Sequence, residues 1–421
     1  MADNPPGCVP CKGFLTFHVI ALSHPSGSGI LIPKNGTPTR HPIRDILMRY
    51  PSLFSKTILL LSCGLIASSP LQAESQDMWQ YGGTLDLNYT QSLQDDPTRW
   101  RSRATTQRLN QFNPGIGMVY LRKLTREDSR WGLELGAHAG YDTDGQVPAE
   151  ERLPGYSILR YLSRANVSYL APVGKGLTLT AGLMNSFIGF ESFYARDNPN
   201  YTRTWIAEYS PYFLIGAGGQ YPVSEQLTAG FYVLSDYDYL AFRSDQPKYA
   251  TQLIWSPTPA WKISQNLFAG PEQRNASPGD WRYFSDTIIQ WSEDDLMVAL
   301  AYDVGTERLM QAGHRQTSWM GSALFTRWHV GGPWSLALRP EIYWDGDGRL
   351  TGNRQLIKAI TATVEYKIPL PMFSLSFRSE YRHDEATGSQ GGFYRGGRDD
   401  TVLIPGQDLV LFSCLLSLDK P

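Results

Sequence analysis

From Trp79 to Leu418 the chain alternates apolar and polar residues with a period of two. Trp79, Tyr81, Leu85, Leu87 and Tyr89 share one parity, and Gln80, Thr84, Asp86 and Asn88 share the other. Successive side chains of a strand point to opposite faces, so this segment predicts a strand with one apolar and one wet side. Trp131, Leu133, Leu135, Ala137, Ala139 and Tyr141 repeat the scheme against Glu134 and His138. Similar segments lie near 114–122, 158–170, 176–186, 207–220, 226–236, 248–256, 261–269, 281–291, 295–303, 315–329, 334–344, 355–367, 373–382 and 408–418. They make about sixteen strands, within a range of roughly 12–18, each about as long as a tilted strand needs to cross a bilayer.

The connections sort by parity. Pro172-Val173-Gly174-Lys175, Pro222-Val223-Ser224-Glu225, Ser256-Pro257-Thr258-Pro259, Ser292-Glu293-Asp294 and Gly331-Gly332-Pro333 are compact and rich in turn formers. The alternate connections, near 90–112, 187–205 and 383–407, are long and polar. A transmembrane barrel has short periplasmic turns and longer extracellular loops, whereas a soluble sandwich has no reason to sort its loops this way. The aromatics follow the same division. Trp79, Trp131, Tyr169, Tyr221, Trp255, Trp261, Trp291, Trp334 and Tyr366 fall at strand ends beside compact turns. Tyr89, Tyr141, Tyr302 and Trp344 fall near the opposite ends. Indole and phenol rings favour the membrane–water boundary, so two such rows predict aromatic girdles. The fold class expected is all-β: one transmembrane antiparallel β-barrel.

Composition agrees. The chain has 12 Trp and 23 Tyr, and every Trp follows residue 78. A mean hydropathy of −0.31 opposes a helical membrane protein but suits a barrel, where half of each strand faces water. Residues 48–73 read as a signal peptide: Met48, Arg49 and Lys56 give a basic start, Thr57 to Ala67 an apolar core, and Ser68 to Ala73 a cleavage region. Residues 1–47 hold no sustained period and read as an unstructured extension upstream of a true start at Met48. The barrel then spans 74–421. Leu60-Leu61-Ser62-Cys63 weakly resembles a lipidation box, but the apolar run continues past Cys63. Of Cys8, Cys11, Cys63 and Cys414 only the last outlives cleavage, which supports neither a disulfide framework nor a zinc site. Six of the 38 Lys and Arg and two of the 40 Asp and Glu precede residue 74, leaving 32 basic against 38 acidic residues. That balance does not point to nucleic acid.

A barrel of this size encloses an aqueous channel, filtered by charges on inward positions. Glu134, Arg160, Arg164, Arg339, Glu341, Glu365, Arg378, Glu380 and Arg382 take the polar parity. On the lipid face each Arg would cost roughly 2–4 kcal/mol, so these are the expected pore-lining residues. The long connection 187–205 is expected to fold into or over the mouth, with Glu191, Arg196 and Arg203 near the narrowest point. An enzyme of Ser and His type is the rival class, but His138, His314, His329 and His383 lie in no local motif. Asp142-Thr143-Asp144-Gly145 and Asp345-Gly346-Asp347-Gly348 are fragments of calcium loops without the downstream acidic ligand. We therefore expect no catalytic residue, no metal and no cofactor.

Between Leu162 and Tyr221 the chain carries Ala165-Asn166-Val167-Ser168-Tyr169, Gly176-Leu177, Gly182-Leu183-Met184, Ile188-Gly189-Phe190-Glu191, Asn198-Pro199-Asn200-Tyr201-Thr202-Arg203 and Pro211 through Gly218. On these residues the stretch resembles the OmpL-like β-barrel porins of Gram-negative bacteria. The resemblance implies an outer-membrane channel without cofactor. One departure is the C-terminus, which ends Leu418-Asp419-Lys420-Pro421 after Phe412 rather than on an aromatic residue. The expectation is passive diffusion of small polar solutes, with outer-membrane lipids and the barrel-assembly machinery as partners and no nucleic acid. The alternatives are an outer-membrane enzyme acting on lipids, and a structural or adhesive barrel. The sequence assigns no oligomeric state.

Overall fold

The computed structural model describes residues 79–145, 159–237, 246–388, 391–396 and 402–420. The expected extension 1–47 and signal peptide 48–73 lie outside the described residues. The strands are β1 Trp79–Ser92, β2 Gln111–Lys123, β3 Trp131–Ala139, β4 Leu162–Ala171, β5 Leu177–Asn185, β6 Phe213–Pro222, β7 Leu227–Leu234 and β8 Lys248–Trp255. They continue as β9 Trp261–Gly270, β10 Arg282–Glu293, β11 Leu296–Leu309, β12 Arg315–Gly331, β13 Trp334–Asp345, β14 Gln355–Pro369 and β15 Ser374–Ala386. A two-residue ribbon joins β16 Phe393–Tyr394 to β17 Leu403–Ile404, and β18 Gly406–Lys420 closes the barrel between β15 and β1. Sixteen strands thus form one closed antiparallel ring.

The period-two pattern is the reason the ring closes with a dry exterior. Along β13, Trp334, Leu336, Leu338, Ile342 and Trp344 face outward, while Ser335, Ala337, Arg339, Glu341, Tyr343 and Asp345 are buried inside. Register brings the girdle aromatics to one level: Trp131 pairs with Tyr169, Trp261 with Trp291, and Trp334 with Tyr366. The Trp334 and Tyr366 rings meet edge to face at 4.7 Å. Below this row the strands are joined by tight turns. The Gly332-Pro333 turn needs the left-handed backbone that glycine supplies, with Gly331 at φ 120° and Gly332 at φ 57°.

Several boundaries depart from expectation, among them three that bear on the interior. The sixth strand begins at Phe213 rather than near 207, because Trp205–Glu208 forms one helical turn, α2. The Thr204 hydroxyl caps it, accepting from the Ala207 N–H at 3.1 Å. The fourth strand begins at Leu162 rather than 158, and a bulge at Ser163, opposite Gly136 and Ala137, leaves Ser163 and Arg164 both buried. The last long connection is shorter than expected, since β15 runs to Ala386 and β18 starts at Gly406.

The interior is divided. Inward positions on β7 to β13 carry an apolar cluster including Tyr232, Phe268, Trp319, Phe325 and Tyr343. Inward positions on β13 and β15 carry charge.

Candidate functional site

Residues 186–212, between β5 and β6, turn into the barrel rather than away from it. Their far contacts are on β13 and β15, which flank β14, the strand farthest round the ring from β6. The segment therefore crosses the bore, and we refer to it as the crossbar.

Its root is clamped by one cross-strand acid pair. Asp286 on β10 and Asp303 on β11 are register partners. Asp286 accepts the Gly189 N–H at 2.9 Å, and Asp303 accepts the Ser210 hydroxyl at 2.9 Å. Both shoulders of the crossbar are thus tied side by side. Gly189 sits at φ 90°, a conformation that favours glycine. Aromatic contacts fill the space between: Phe187 stacks on Tyr232 at 4.5 Å, and Phe190 lies 4.4 Å from Phe325. Ile206 of α2 rests over Gly321, where a methyl group would collide with Ile206 and Tyr343.

The far wall is an arginine ladder. Arg339 pairs with Glu191 at 2.8 Å and donates to the Thr202 carbonyl at 2.5 Å. Arg382 pairs with Glu341 at 3.0 Å and Asp384 at 2.7 Å, and donates to the Arg203 carbonyl at 2.8 Å. Arg378 pairs with Glu365 at 2.7 Å and donates to the Ala195 carbonyl at 2.8 Å. Between them Glu380 accepts the backbone N–H groups of Tyr201 and Thr202 at 2.6 and 3.0 Å. Trp205 closes the set, its indole donating to Asp384 at 2.8 Å and its backbone N–H to Glu341 at 2.6 Å. Burying a charge is costly unless it is paired and hydrogen-bonded, and here the crossbar backbone supplies many of the partners.

A second inserted segment, 93–110, braces the first. Arg103 pairs with Glu208 at 3.1 Å, and its guanidinium lies over the Trp100 ring at 4.3 Å. On the other side of Glu208 is a cavity of about 260 Å³ lined in part by Tyr209, Tyr212, Tyr237, Arg282 and Arg349.

The expected pore residues divide into three groups. Arg339, Glu341, Glu365, Arg378, Glu380, Arg382 and Glu191 converge on the ladder. Glu134 and Arg164 face inward on the opposite side, with Glu134 accepting from Asn166 at 3.2 Å and Arg164 lying 4.7 Å from the Tyr120 ring centroid. Arg160, Arg196 and Arg203 need correction. Arg160 precedes β4 and pairs with Asp144 at 2.9 Å. Arg196 does not meet Glu191 and Arg203. It reaches the compact-turn end, donating to the Gly83 carbonyl at 3.0 Å and pairing with Asp419 at 2.9 Å. Arg203 is fully buried and turns back on the crossbar, donating to the carbonyls of Phe193 and Tyr201. It holds the loop's shape rather than facing the bore.

Sequence reasoning passed over Asp286, Asp303 and Asp384. Asp384 was within reach, since it shares parity with Arg382 two residues earlier. The rival motifs resolve into structure. Asp345 makes its own turn, accepting the backbone N–H groups of Arg349, Leu350 and Thr351 at 2.8–2.9 Å. His138 meets the Tyr194 hydroxyl at 3.1 Å, and His383 meets Asp408 at 2.9 Å. His314 meets Asp280 at 2.7 Å and His329 lies 3.5 Å from Ser335.

Beside the mouth, α1 (Tyr141–Asp144) carries Asp142, whose carboxyl is pushed up to about 7 by burial, against the opposing pull of Arg203. The folded state therefore holds this proton more tightly than the unfolded chain does. Stability is full below the ordinary value of 3.8 and falls as pH rises from there through about 7. Hydrogen exchange of residues 104–110, corrected for intrinsic rates, is expected to quicken across that window and to lose the dependence in Asp142→Asn. An equal dependence in the variant would refute the assignment.

A closed sixteen-stranded antiparallel barrel with compact turns at one end, long loops at the other and aromatic girdles is an outer-membrane porin barrel. Among solved structures it is similar to Salmonella typhi OmpF in complex with daunomycin (TM-score 0.53, 9% identity, 80% of this chain and 97% of that one). It is likewise similar to the outer membrane channel DcaP of Acinetobacter baumannii (TM-score 0.51, 6% identity, 81% and 96%). At these identities the likeness concerns the fold. The family model described as "Putative beta-barrel porin-2, OmpL-like" matches residues 79–418, and the chain belongs to that family. No curated protein sequence matches it. The compact turns are accordingly periplasmic and the long loops extracellular.

Proposed function

We propose that the protein is a porin through which small polar solutes diffuse passively, with a bore narrowed by the crossbar. The observation that carries this reading is the crossbar itself: a segment that spans the lumen and is fastened to both walls by charged side chains. A sixteen-stranded barrel is wide enough for water, so the crossbar and not the wall sets the passage. Glu134, Arg164, Glu191 and the ladder residues Arg339, Glu341, Glu365, Arg378, Glu380 and Arg382 then set its electrostatics. Arg160 acts at the outer rim and Arg196 at the periplasmic exit. The function needs no catalytic step, metal or cofactor. The outward apolar face meets outer-membrane lipids, and the barrel-assembly machinery inserts it. In planar bilayers the purified protein is expected to give discrete ohmic current steps, with reversal potentials in a salt gradient reporting its ion preference. Electrical silence of folded, inserted protein would overturn the reading.

A further inference from the structure

At the extracellular end, a second cavity of about 290 Å³ lies between the 93–110 segment, the upper ends of β1 and β2, and α1. Its two sides carry opposite charge.

The acidic side is Asp142. One carboxylate oxygen accepts the Thr106 N–H at 2.9 Å, and the other, Oδ2, is buried without a partner. Asn113 Oδ1 and Thr106 Oγ1, on the same lining, are buried and unpartnered as well. Buried polar atoms are nearly always satisfied, so three around one small cavity mark its wall as short of hydrogen-bond donors. Asp144 is not part of this demand, being paired with Arg160 at 2.9 Å.

The basic side is Arg99 and Arg108. Their backbones face each other across an antiparallel bridge, which sets their side chains side by side. Neither guanidinium has a carboxylate partner among the described residues. Arg108 lies 3.5 Å from the centroid of the Tyr141 ring. A simple anion would suit this side and offend Asp142. A simple cation would do the reverse.

We propose that the cavity binds small zwitterions of the α-amino-acid type. The ammonium meets the Asp142 carboxylate and the Asn113 amide, and the carboxylate meets Arg99 and Arg108, whose planar forks suit it. The volume lies at the lower limit of small-molecule sites, which selects an occupant of amino-acid size over an oligosaccharide. Burial pushes the Asp142 carboxyl up to about 7 even against the pull of Arg203, and an ammonium beside it would favour the charged form. Asn88 also lines the cavity and donates to the Tyr201 hydroxyl of the crossbar at 2.6 Å, so the site adjoins the proposed passage. The inference gives the proposed porin a solute class at its mouth, but binding here does not require conduction.

The test is isothermal titration of the folded protein in detergent micelles with L-alanine, propionate and isopropylamine, which share one carbon skeleton. L-Alanine is expected to bind saturably, and each singly charged analogue about tenfold or more weakly, as loss of a charged hydrogen-bonded pair predicts. Asp142→Asn keeps an acceptor for the Thr106 N–H and should weaken L-alanine by a similar factor. Arg99→Ala, at an exposed side chain, should do the same without threatening the fold. Isopropylamine matching L-alanine, an unchanged affinity in Arg99→Ala, or no L-alanine heat at all would overturn the site and leave the porin reading untouched. Silence in planar bilayers with L-alanine binding intact would do the opposite.

Discussion

Replacing residues 187–211 by a short Gly-Ser turn should raise single-channel conductance several-fold while the barrel stays folded. The geometry allows the cut. Asn185 and Phe213 are already register partners, so a tight hairpin can join β5 to β6 where the crossbar now leaves. No wall strand loses a ladder hydrogen bond. The exposed charges of Arg339, Arg378, Arg382 and Glu380 would then face water and be solvated, which removes the penalty that burial imposes on unpaired charge. What changes is the bore, which loses Phe190, Tyr201, Trp205 and the rest of the inserted segment. Bilayer recordings of the two proteins at equal salt make the comparison, and an unchanged conductance in the shortened protein would reject the crossbar as the constriction.

The second large effect belongs to Arg339→Met. This guanidinium is fully buried and serves Glu191, the Thr202 carbonyl and the Thr361 hydroxyl together. Its removal leaves Glu191 without its cation, and Glu341 with Arg382 alone. Breaking a buried ion pair by deleting one member costs roughly 3–5 kcal/mol. Urea unfolding of the vesicle-embedded barrel should show a loss of that order. Glu191→Gln in the same background should recover part of it, with a coupling of about 0.5–3 kcal/mol in the double-mutant cycle. A loss under about 1 kcal/mol would mean that water screens the ladder as it does a surface pair.

Strand number, orientation and lipid-facing positions were legible because each depends on residues near in sequence. Trp334, Leu336 and Leu338 announce their face by spacing alone, and Pro172 to Lys175 announces a turn. Three kinds of feature were not legible. The α2 turn was hidden because Trp205–Glu208 straddles the end of the connection 187–205 and the start of the strand expected near 207. The apolar inner wall was hidden because Phe268, Trp319 and Phe325 break the polar-in rule, forming one cluster with Ile188, Trp205 and Ile206 of the crossbar. The ladder's partners were hidden by distance. Glu191 and Arg339 lie 148 residues apart, and nothing in either neighbourhood indicates the other. Grouping Arg196 and Arg203 with Glu191 failed for the same reason. Loop position says that a charge is inside, but only the folded backbone shows Arg203 turned on its own carbonyls and Arg196 reaching Asp419.

The same separation fixes an order in time. The crossbar follows β5 in the chain, yet Arg339, Glu380, Arg382 and Asp384 arrive only with β13 and β15, up to 180 residues later. Contacts so remote in sequence form late, after the closure entropy of the intervening chain has been overcome. The lumen segment must therefore wait, untethered on its far side, through the assembly of most of the wall. The passage takes its final width as one of the last events of the protein's maturation.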